Sequence, residues 1–173
     1  MNLTIRQEQP CDWENTSVLI QTAFAHAEHR DGNEHILVQL LRTDSAFIPE
    51  LSLIAEADGT AVGHILFTKL TIGTQTQLAL APLSVLPDYQ RQGIGSALVL
   101  EGHRIAKKMG YGYSVVLGSD TYYGRFDYQP ASHFQIQCPF PGVPSKNYMA
   151  AALSPNAPAC FGMPIYAQAF SKL

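Results

Sequence analysis

The chain of 173 residues has few charged side chains, few cysteines and no long apolar run. Charged residues make up 14% of it and hydrophobic residues 46%, a balance that excludes an intrinsically disordered protein and predicts a folded one. The net charge of −3 argues against a nucleic-acid partner, because such proteins usually present a basic surface. No apolar run approaches the roughly 18 residues that span a bilayer, so we expect no membrane partner.

The three cysteines are too few and too far apart for a disulfide framework or a zinc site. Cys11, Cys138 and Cys160 form no CxxC pair and no other metal-ligand spacing. We therefore expect reduced thiols and no metal. Cys138 has no base at a recognisable spacing that would make it a nucleophile. The first ten residues, MNLTIRQEQP, lack the apolar segment of a secretory signal. These absences predict a cytoplasmic protein.

Apolar periodicity predicts one domain over residues 1–173, with a core over about 3–153 and a tail over 154–173. The predicted strands are 3–7, 51–57, 61–72, 78–86, 113–117 and 149–153, and the predicted helices start near Pro10, Glu34 and Gly95. Trp13 and Val18 are expected on the buried side of the first helix, and the proline-containing tail is expected to be mostly loop. Helices thus interrupt a run of hairpin-linked strands, which indicates a mixed sheet in an α/β (α+β) domain.

The most informative stretch is 78–98, LALAPLSVLPDYQRQGIGSAL. A strand passes through Pro87 into a glycine-containing turn and then into a helix. Glycines let the backbone approach a ligand closely, and a helix N-terminus offers unpaired N–H groups that suit phosphate. A dinucleotide fingerprint needs a third small residue where this chain has Leu98, and the Gly-Lys pair of a P-loop is absent. The turn therefore predicts a phosphate site of another kind.

The turn Gln90–Gly95, QRQGIG, resembles the Q/R-x-x-G-x-G/A signature of the GCN5-related N-acetyltransferases (GNAT). The strand before it and the helix after it are both typical of that family. Further along, the run 122–130, YYGRFDYQP, resembles the family's Y-x-x-x-G-F segment. The resemblance covers roughly 3–153 and is closest to the YhbS-like predicted acetyltransferases, whose substrates are poorly defined.

This resemblance implies the GNAT fold, which is a mixed, mostly antiparallel sheet splayed at a central β-bulge with helices on both faces. It also implies acetyl-CoA as the acetyl-donor cosubstrate. The pantetheine arm would lie beside the strand at 81–86, and the pyrophosphate would take backbone N–H groups of the turn. The implied cofactor-binding residues are Leu83, Ser84, Val85, Gln90, Arg91, Gln92, Gly93, Ile94, Gly95, Ser96 and Tyr123.

The activity implied is transfer of an acetyl group to an amine of a small molecule or peptide, by direct attack on the thioester. Tyr123 stands where the family commonly has the tyrosine that protonates the leaving sulfur, and Tyr122 is the fallback. The family's glycine is Asp127 here. Because that glycine usually marks positive φ, which Asp tolerates better than most residues, we expect the turn to survive.

The general base is left open by the sequence. His64 has a side chain suited to the task, but a half-buried strand histidine is the plainer interpretation. We interpret Glu56 as a solvated carboxylate and Asp120 as a helix cap. A chain of water molecules would also serve as the base instead of any side chain.

A polar cluster between the first two helices has residue types that bind metals, but its spacing fits no ligand motif, and solvated side chains are the plainer interpretation. Its members are His26, Glu28, His29, Asp31, Glu34 and His35. The resemblance places this connection near the acceptor, so a role in substrate choice is the alternative.

Two other functions share this sequence pattern. One is a non-catalytic coenzyme A-binding module that acts as a sensor or interaction subunit, because fold does not fix function. The other is an acyltransferase that uses a longer acyl-CoA. The acceptor is not identified by the sequence. Apolar residues in the tail suggest a homodimer as a further possibility.

Overall fold

A computed structural model describes residues 1–28 and 31–173, and the described strands form one mixed sheet in the order β1-β2-β3-β4-β5-β7-β6, with β8 paired to β3. The strands are β1 Leu3–Gln7, β2 Phe47–Ala57, β3 Thr60–Ile72, β4 Gln75–Val85, β5 Tyr113–Leu117, β6 Gln129–Pro130, β7 Tyr148–Ala152 and β8 Pro164–Ile165. The helices are α1 Trp13–Phe24, α2 Glu34–Arg42, α3 Ile94–Lys108 and α4 Asp120–Tyr123. The predicted fold class is confirmed.

Helices cover both faces of the sheet. Gly102 of α3 lies so close to Phe67 of β3 that a Cβ at Gly102 would overlap the aromatic ring. Leu66, the neighbour of Phe67 along β3, points to the other face and packs with buried residues of α1 and α2. Alternate residues of β3 therefore serve two separate cores, one under α3 and one under α1 and α2.

The sheet opens between β4 and β5. These two parallel strands pair only at Leu78 with Ser114 and at Ala79 with Val115. Beyond that point β4 continues as far as Val85 with β3 alone, and its register shifts beside Ile65. This irregularity is the predicted bulge, and it leaves one edge of β4 uncovered where the strand approaches α3.

The structure corrects one expectation about packing. A 3₁₀ turn at Pro10–Asp12 delays the start of α1, which buries Thr16, Leu19 and Ile20 and leaves Val18 57% exposed. The tail is mostly loop, as expected, but it also forms β8 and a 3₁₀ turn at Gln168–Ser171. Long-range contacts that local propensity cannot reveal hold the tail against the sheet.

The described helices include none that is long and apolar enough to cross a membrane. The three cysteines are free thiols. In the tail, Phe161, Met163 and Ile165 have large exposed apolar side chains. These residues would suit the homodimer suggested by the sequence, which stays a prediction, as does the cytoplasmic location.

Candidate active site

The N-terminus of α3 is built to present backbone N–H groups. Gly93 is the cap residue at φ +84°, and it offers no side chain to the first turn of the helix. Ala97 makes the first bond of the helix by donating its N–H to the carbonyl of Gly93, so the N–H groups of Ile94, Gly95 and Ser96 precede the ladder. Arg91 also has positive φ, +60°. This backbone geometry suits a phosphate anion.

The open edge of β4 continues from this helix terminus. The N–H of Leu86 donates to the carbonyl of Val62 on β3, so the backbone of Val85 is turned the other way, toward the gap. The Gln90 side chain confirms this direction, because its amide donates to the Val85 carbonyl at 3.0 Å. By the same alternation, Leu83 also presents its backbone to the gap between β4 and β5.

A cavity of about 530 Å³ joins the helix terminus and the strand edge. Its lining residues are Leu83, Val85, Tyr89, Gln90, Arg91, Gly93, Gly95, Ser96, Tyr122 and Arg125. Seven of these ten were predicted from the sequence as cofactor-binding residues, and Tyr122 was the fallback acid. Tyr89 and Arg125 were missed. The guanidinium of Arg125 lies 4.5 Å above the Tyr122 ring, so the cavity has two arginines, and both favour an anionic ligand.

Three predicted cofactor-binding residues of β4 and the turn are not among those that line the cavity. Ser84 is only 2% exposed, and its side chain lies on the sheet face opposite the cavity, so only its backbone could contact a cofactor there. Ile94 is buried in the core under α3 and offers only its N–H. Gln92 is exposed and donates its side-chain amide to the Asp88 carbonyl. For Ser84 the bulge decides the orientation, because it fixes which residues of β4 face α3.

Tyr123 lies deeper than Tyr122 and, unlike Tyr122, is not among the residues that line the cavity. The Tyr123 ring packs on Gly118, just beyond β5, where a Cβ would stand 2.6 Å from the ring. Burial raises the pKa of Tyr123 well above its ordinary value, so the group stays a protonated phenol. The hydroxyl of Tyr122 instead lies over Gly95 at the helix terminus. Asp127, which follows the turn after Tyr123, has φ +64°. The positive φ expected at the position of the family's glycine is therefore kept.

Comparison with known proteins decides the family. A family model described as the acetyltransferase (GNAT) family matches residues 13–125. The chain belongs to this family. The match includes the helix terminus, the open edge of β4 and Tyr123, so the resemblance found in the sequence is confirmed.

Named relatives and solved GNAT structures agree with this assignment. The chain is 32% identical over 146 residues to the uncharacterized N-acetyltransferase YhbS of Escherichia coli (strain K12), a match that covers 83% of each protein. It is 41% identical over 114 residues to the uncharacterized N-acetyltransferase YjhQ of the same strain, covering 64% of this chain and 60% of YjhQ.

Two crystal structures extend the likeness over nearly the whole chain. The structure of the GNAT family N-acetyltransferase YhbS from Escherichia coli, in complex with CoA, superposes with a TM-score of 0.88 at 27% identity. It covers 99% of this chain and 93% of YhbS. A GNAT family acetyltransferase from Brucella melitensis, in complex with acetyl-CoA, gives 0.80 at 31% identity over 98% of each chain.

His64 lies away from the cavity. His64 is fully buried on the face of β3 opposite α3, where its Nε2 lies 3.2 Å from the Ser52 hydroxyl and 3.7 Å from Glu8. Glu8 also pairs with Arg42 of α2. A general base must reach the acceptor nitrogen directly or through one water. Because the His64 side chain is buried away from the cavity, the structure favours the plainer interpretation, a strand histidine, which here belongs to this polar cluster.

Glu56, Asp120 and Cys138 are the other residues that the sequence raised as base, helix cap or nucleophile. Glu56 forms an ion pair with Arg6 at 2.8 Å. Ser119, and not Asp120, caps α4 by accepting the N–H of Tyr122. The thiol of Cys138 points to the Phe140 carbonyl at 3.5 Å.

The suggested metal-like cluster between α1 and α2 falls partly on His29, which lies outside the described residues. In the described parts, 1–28 and 31–173, no group of three metal-ligating side chains forms. The Asp31 carboxylate instead accepts the N–H of Asn33, and Glu34 accepts the N–H of Asp31. These bonds order the entry to α2.

Proposed function

We propose that this chain is an acetyl-CoA-dependent N-acetyltransferase that acetylates an amine of a small molecule or peptide. The observation that carries the proposal is one continuous cavity that joins a phosphate cradle to an open strand edge. Acetyl-CoA carries an anionic pyrophosphate followed by a pantetheine arm that contains amides, and this order matches that of the cradle and the strand edge. A net acidic protein can bind this anion because backbone N–H groups and two local arginines supply the positive potential.

Different groups of the chain would bind different parts of acetyl-CoA. N–H groups at the start of α3 would hold the pyrophosphate, helped by Arg91 and Arg125. Backbone groups of Leu83 and Val85 would pair with the amides of the arm. Gly95 makes room for the Tyr122 hydroxyl at the start of α3, because a Cβ there would overlap that oxygen. These assignments direct the arm along β4 toward the region of Tyr123.

Tyr123 would supply the proton for the leaving group. When the acceptor nitrogen bonds to the acetyl carbon, the carbon–sulfur bond breaks and the sulfur takes the electron pair. The Tyr123 hydroxyl donates its proton to that sulfur, the nitrogen loses its surplus proton to water, and the Tyr123 phenolate takes a proton back from solvent. Burial keeps Tyr123 protonated before the reaction. Proton loss from the acceptor is assigned to solvent, because His64 is buried in a cluster with Glu8 and the Glu56 carboxylate is paired with Arg6.

The two arginines of the cavity give a test of cofactor binding. Arg125→Ala and Arg91→Ala should each weaken CoA binding about fivefold, since a partly exposed charge contributes about 1 kcal/mol. Titration calorimetry with CoA at low and high salt checks this, because the loss should shrink as salt screens the charge. Lys108→Ala, at the far end of α3, is the matched control. Equal losses in the control and the arginine variants would contradict the assignment.

A direct test is an acceptor screen that follows free thiol. The protein is first mixed with acetyl-CoA, and a rise in melting temperature reports binding. Polyamines, amino acids, aminoglycosides and peptides are then added, and CoA thiol is measured. The proposal expects binding together with acceptor-dependent thiol release. Binding without any acceptor-dependent release would favour a non-catalytic module, and preference for a longer acyl-CoA would correct the donor.

A further inference from the structure

The hydroxyl of Tyr128 is buried and doubly bonded. Tyr128 follows Asp127, just beyond α4, and is 3% exposed. Its hydroxyl lies 2.8 Å from the Ser114 hydroxyl on β5 and 3.0 Å from Nε2 of His103 on α3. A buried hydroxyl needs such partners, because an unpaired one is costly. The two bonds tie the Tyr128 ring to a strand and a helix at the same time.

This hydroxyl is a departure from the family's segment. In Y-x-x-x-G-F the last residue is Phe, whereas here it is Tyr128, which follows Asp127 in place of the glycine. Packing alone needs only the ring. The added oxygen meets two polar partners that come from distant parts of the chain, Ser114 and His103, and neither belongs to the cavity. Tyr128, Ser114 and His103 thus bring complementary hydrogen-bonding groups to one buried point. This indicates a specific polar arrangement and not packing alone.

The Tyr128 ring in turn supports Tyr123. The two rings meet edge to face, with centroids 5.6 Å apart and planes at 74°. The His103 ring also packs against Tyr128, with centroids 5.3 Å apart and planes tilted by 47°. Tyr123 is thus held between Gly118, Tyr122 and Tyr128. Of these neighbours, Tyr128 is the one whose ring is fixed by side-chain bonds to two other elements.

We propose that Tyr128 is a positioning residue for Tyr123, and that Ser114 and His103 act through it by fixing its hydroxyl. The proposal rests on the proposed function, in which Tyr123 protonates the leaving sulfur. An acid that is displaced by a fraction of an ångström from its best position beside the sulfur transfers its proton less efficiently. Burial lowers the pKa of His103 to about 4, so its imidazole is neutral at pH 7 and keeps one acceptor nitrogen for the Tyr128 hydroxyl.

The test is a double-mutant cycle between Tyr128→Phe and Tyr123→Phe. The reaction followed is acetyl-CoA cleavage with water as acceptor, measured as CoA thiol, so that no identified amine is needed. Tyr128→Phe should lower kcat about tenfold when Tyr123 is present and less than about twofold when it is absent, with the KM for acetyl-CoA unchanged. Tyr113→Phe is the matched control, since Tyr113 is a buried tyrosine on the opposite sheet face.

Equal losses in both backgrounds would overturn the positioning role, because general destabilisation does not depend on Tyr123. A Tyr123→Phe variant with full activity would instead overturn the proposed function, so the two failures are distinguishable.

A second readout needs no turnover. In protein labelled at tyrosine ¹³Cζ and saturated with CoA, the Tyr123 signal should shift or broaden in Tyr128→Phe and in Ser114→Ala. An unchanged Tyr123 signal in both variants would overturn the proposal whatever the activity.

Discussion

Tyr123→Phe should lower kcat about 100- to 1,000-fold and leave the KM for acetyl-CoA within about a factor of two. The substitution keeps the ring that packs on Gly118 and Tyr128 and removes only the hydroxyl. Without this acid, the sulfur must leave as a thiolate that is protonated only by water. Since the proton moves in the transition state and not on binding, the loss belongs to kcat.

Two variants make this result specific. Gly118→Ala retains the Tyr123 hydroxyl but places a Cβ against its ring, so kcat should fall without loss of the acid itself. Tyr122→Phe should act mainly on CoA binding, because Tyr122 lines the cavity at the helix terminus. Steady-state kinetics with an acceptor from the screen, together with CoA calorimetry, separates the effects. A Tyr123→Phe enzyme that loses CoA affinity but keeps its kcat would contradict the assignment of the acid.

Arg42→Ala should lower the free energy of unfolding by about 3–5 kcal/mol at pH 7. Arg42 and Glu8 form an ion pair in which the side chains are 3% and 1% exposed. Removal of the guanidinium leaves the Glu8 carboxylate buried with only Ser52 and His64 beside it. Arg42 also packs over Trp13 at 5.1 Å, and that contact would be lost as well.

Arg6→Ala is the matched control for Arg42→Ala. Arg6 pairs with Asp12 and Glu56 at 2.8 Å, but its side chain is 39% exposed, so solvent screens the interaction. Its loss should cost at most about 1 kcal/mol. Urea denaturation of both variants measures the difference. Similar losses for Arg6→Ala and Arg42→Ala would contradict the view that burial makes the second pair costly to break.

The same cluster predicts how stability depends on pH. Burial alone would raise the pKa of Glu8, but the hydrogen bond and charge of His64, the Ser52 hydroxyl and Arg42 outweigh it and lower the pKa to about 2. A carboxyl with a lowered folded pKa stabilises the protein above its unfolded pKa, and this contribution is lost as the pH falls from about 4.5 to about 2. Glu8→Gln should flatten the unfolding free energy over that range. An unchanged slope would contradict the role of Glu8.

The sequence predicted the backbone features of the site well, because they depend on local chemistry. Gly93 and Gly95 in the turn indicated the cradle, and the strand before them indicated the open edge. Which side chains face the cavity depends on the bulge and on long-range contacts. The sequence therefore did not reveal that the Ser84 side chain faces away from the cavity, or that His64 belongs to a buried cluster with Glu8.

Residues that act through distant partners were also missed. Arg125 carried one signal, a lone cation in the tyrosine segment. It lies over Tyr122, three residues earlier, but only the fold brings this pair beside the terminus of α3. The bonds of Tyr128 to His103 and Ser114 join three separate stretches of chain. No local pattern indicates such a contact.

The central claim is that the cavity binds acetyl-CoA with Tyr123 at the reacting sulfur. A crystal structure of the protein with acetyl-CoA tests it most directly. The pyrophosphate oxygens should lie within about 3 Å of the N–H groups of Gly93–Ser96, and the Tyr123 hydroxyl within about 3.5 Å of the thioester sulfur. A structure in which acetyl-CoA binds elsewhere, or in which Tyr123 and Tyr122 both point away from the sulfur, would contradict it.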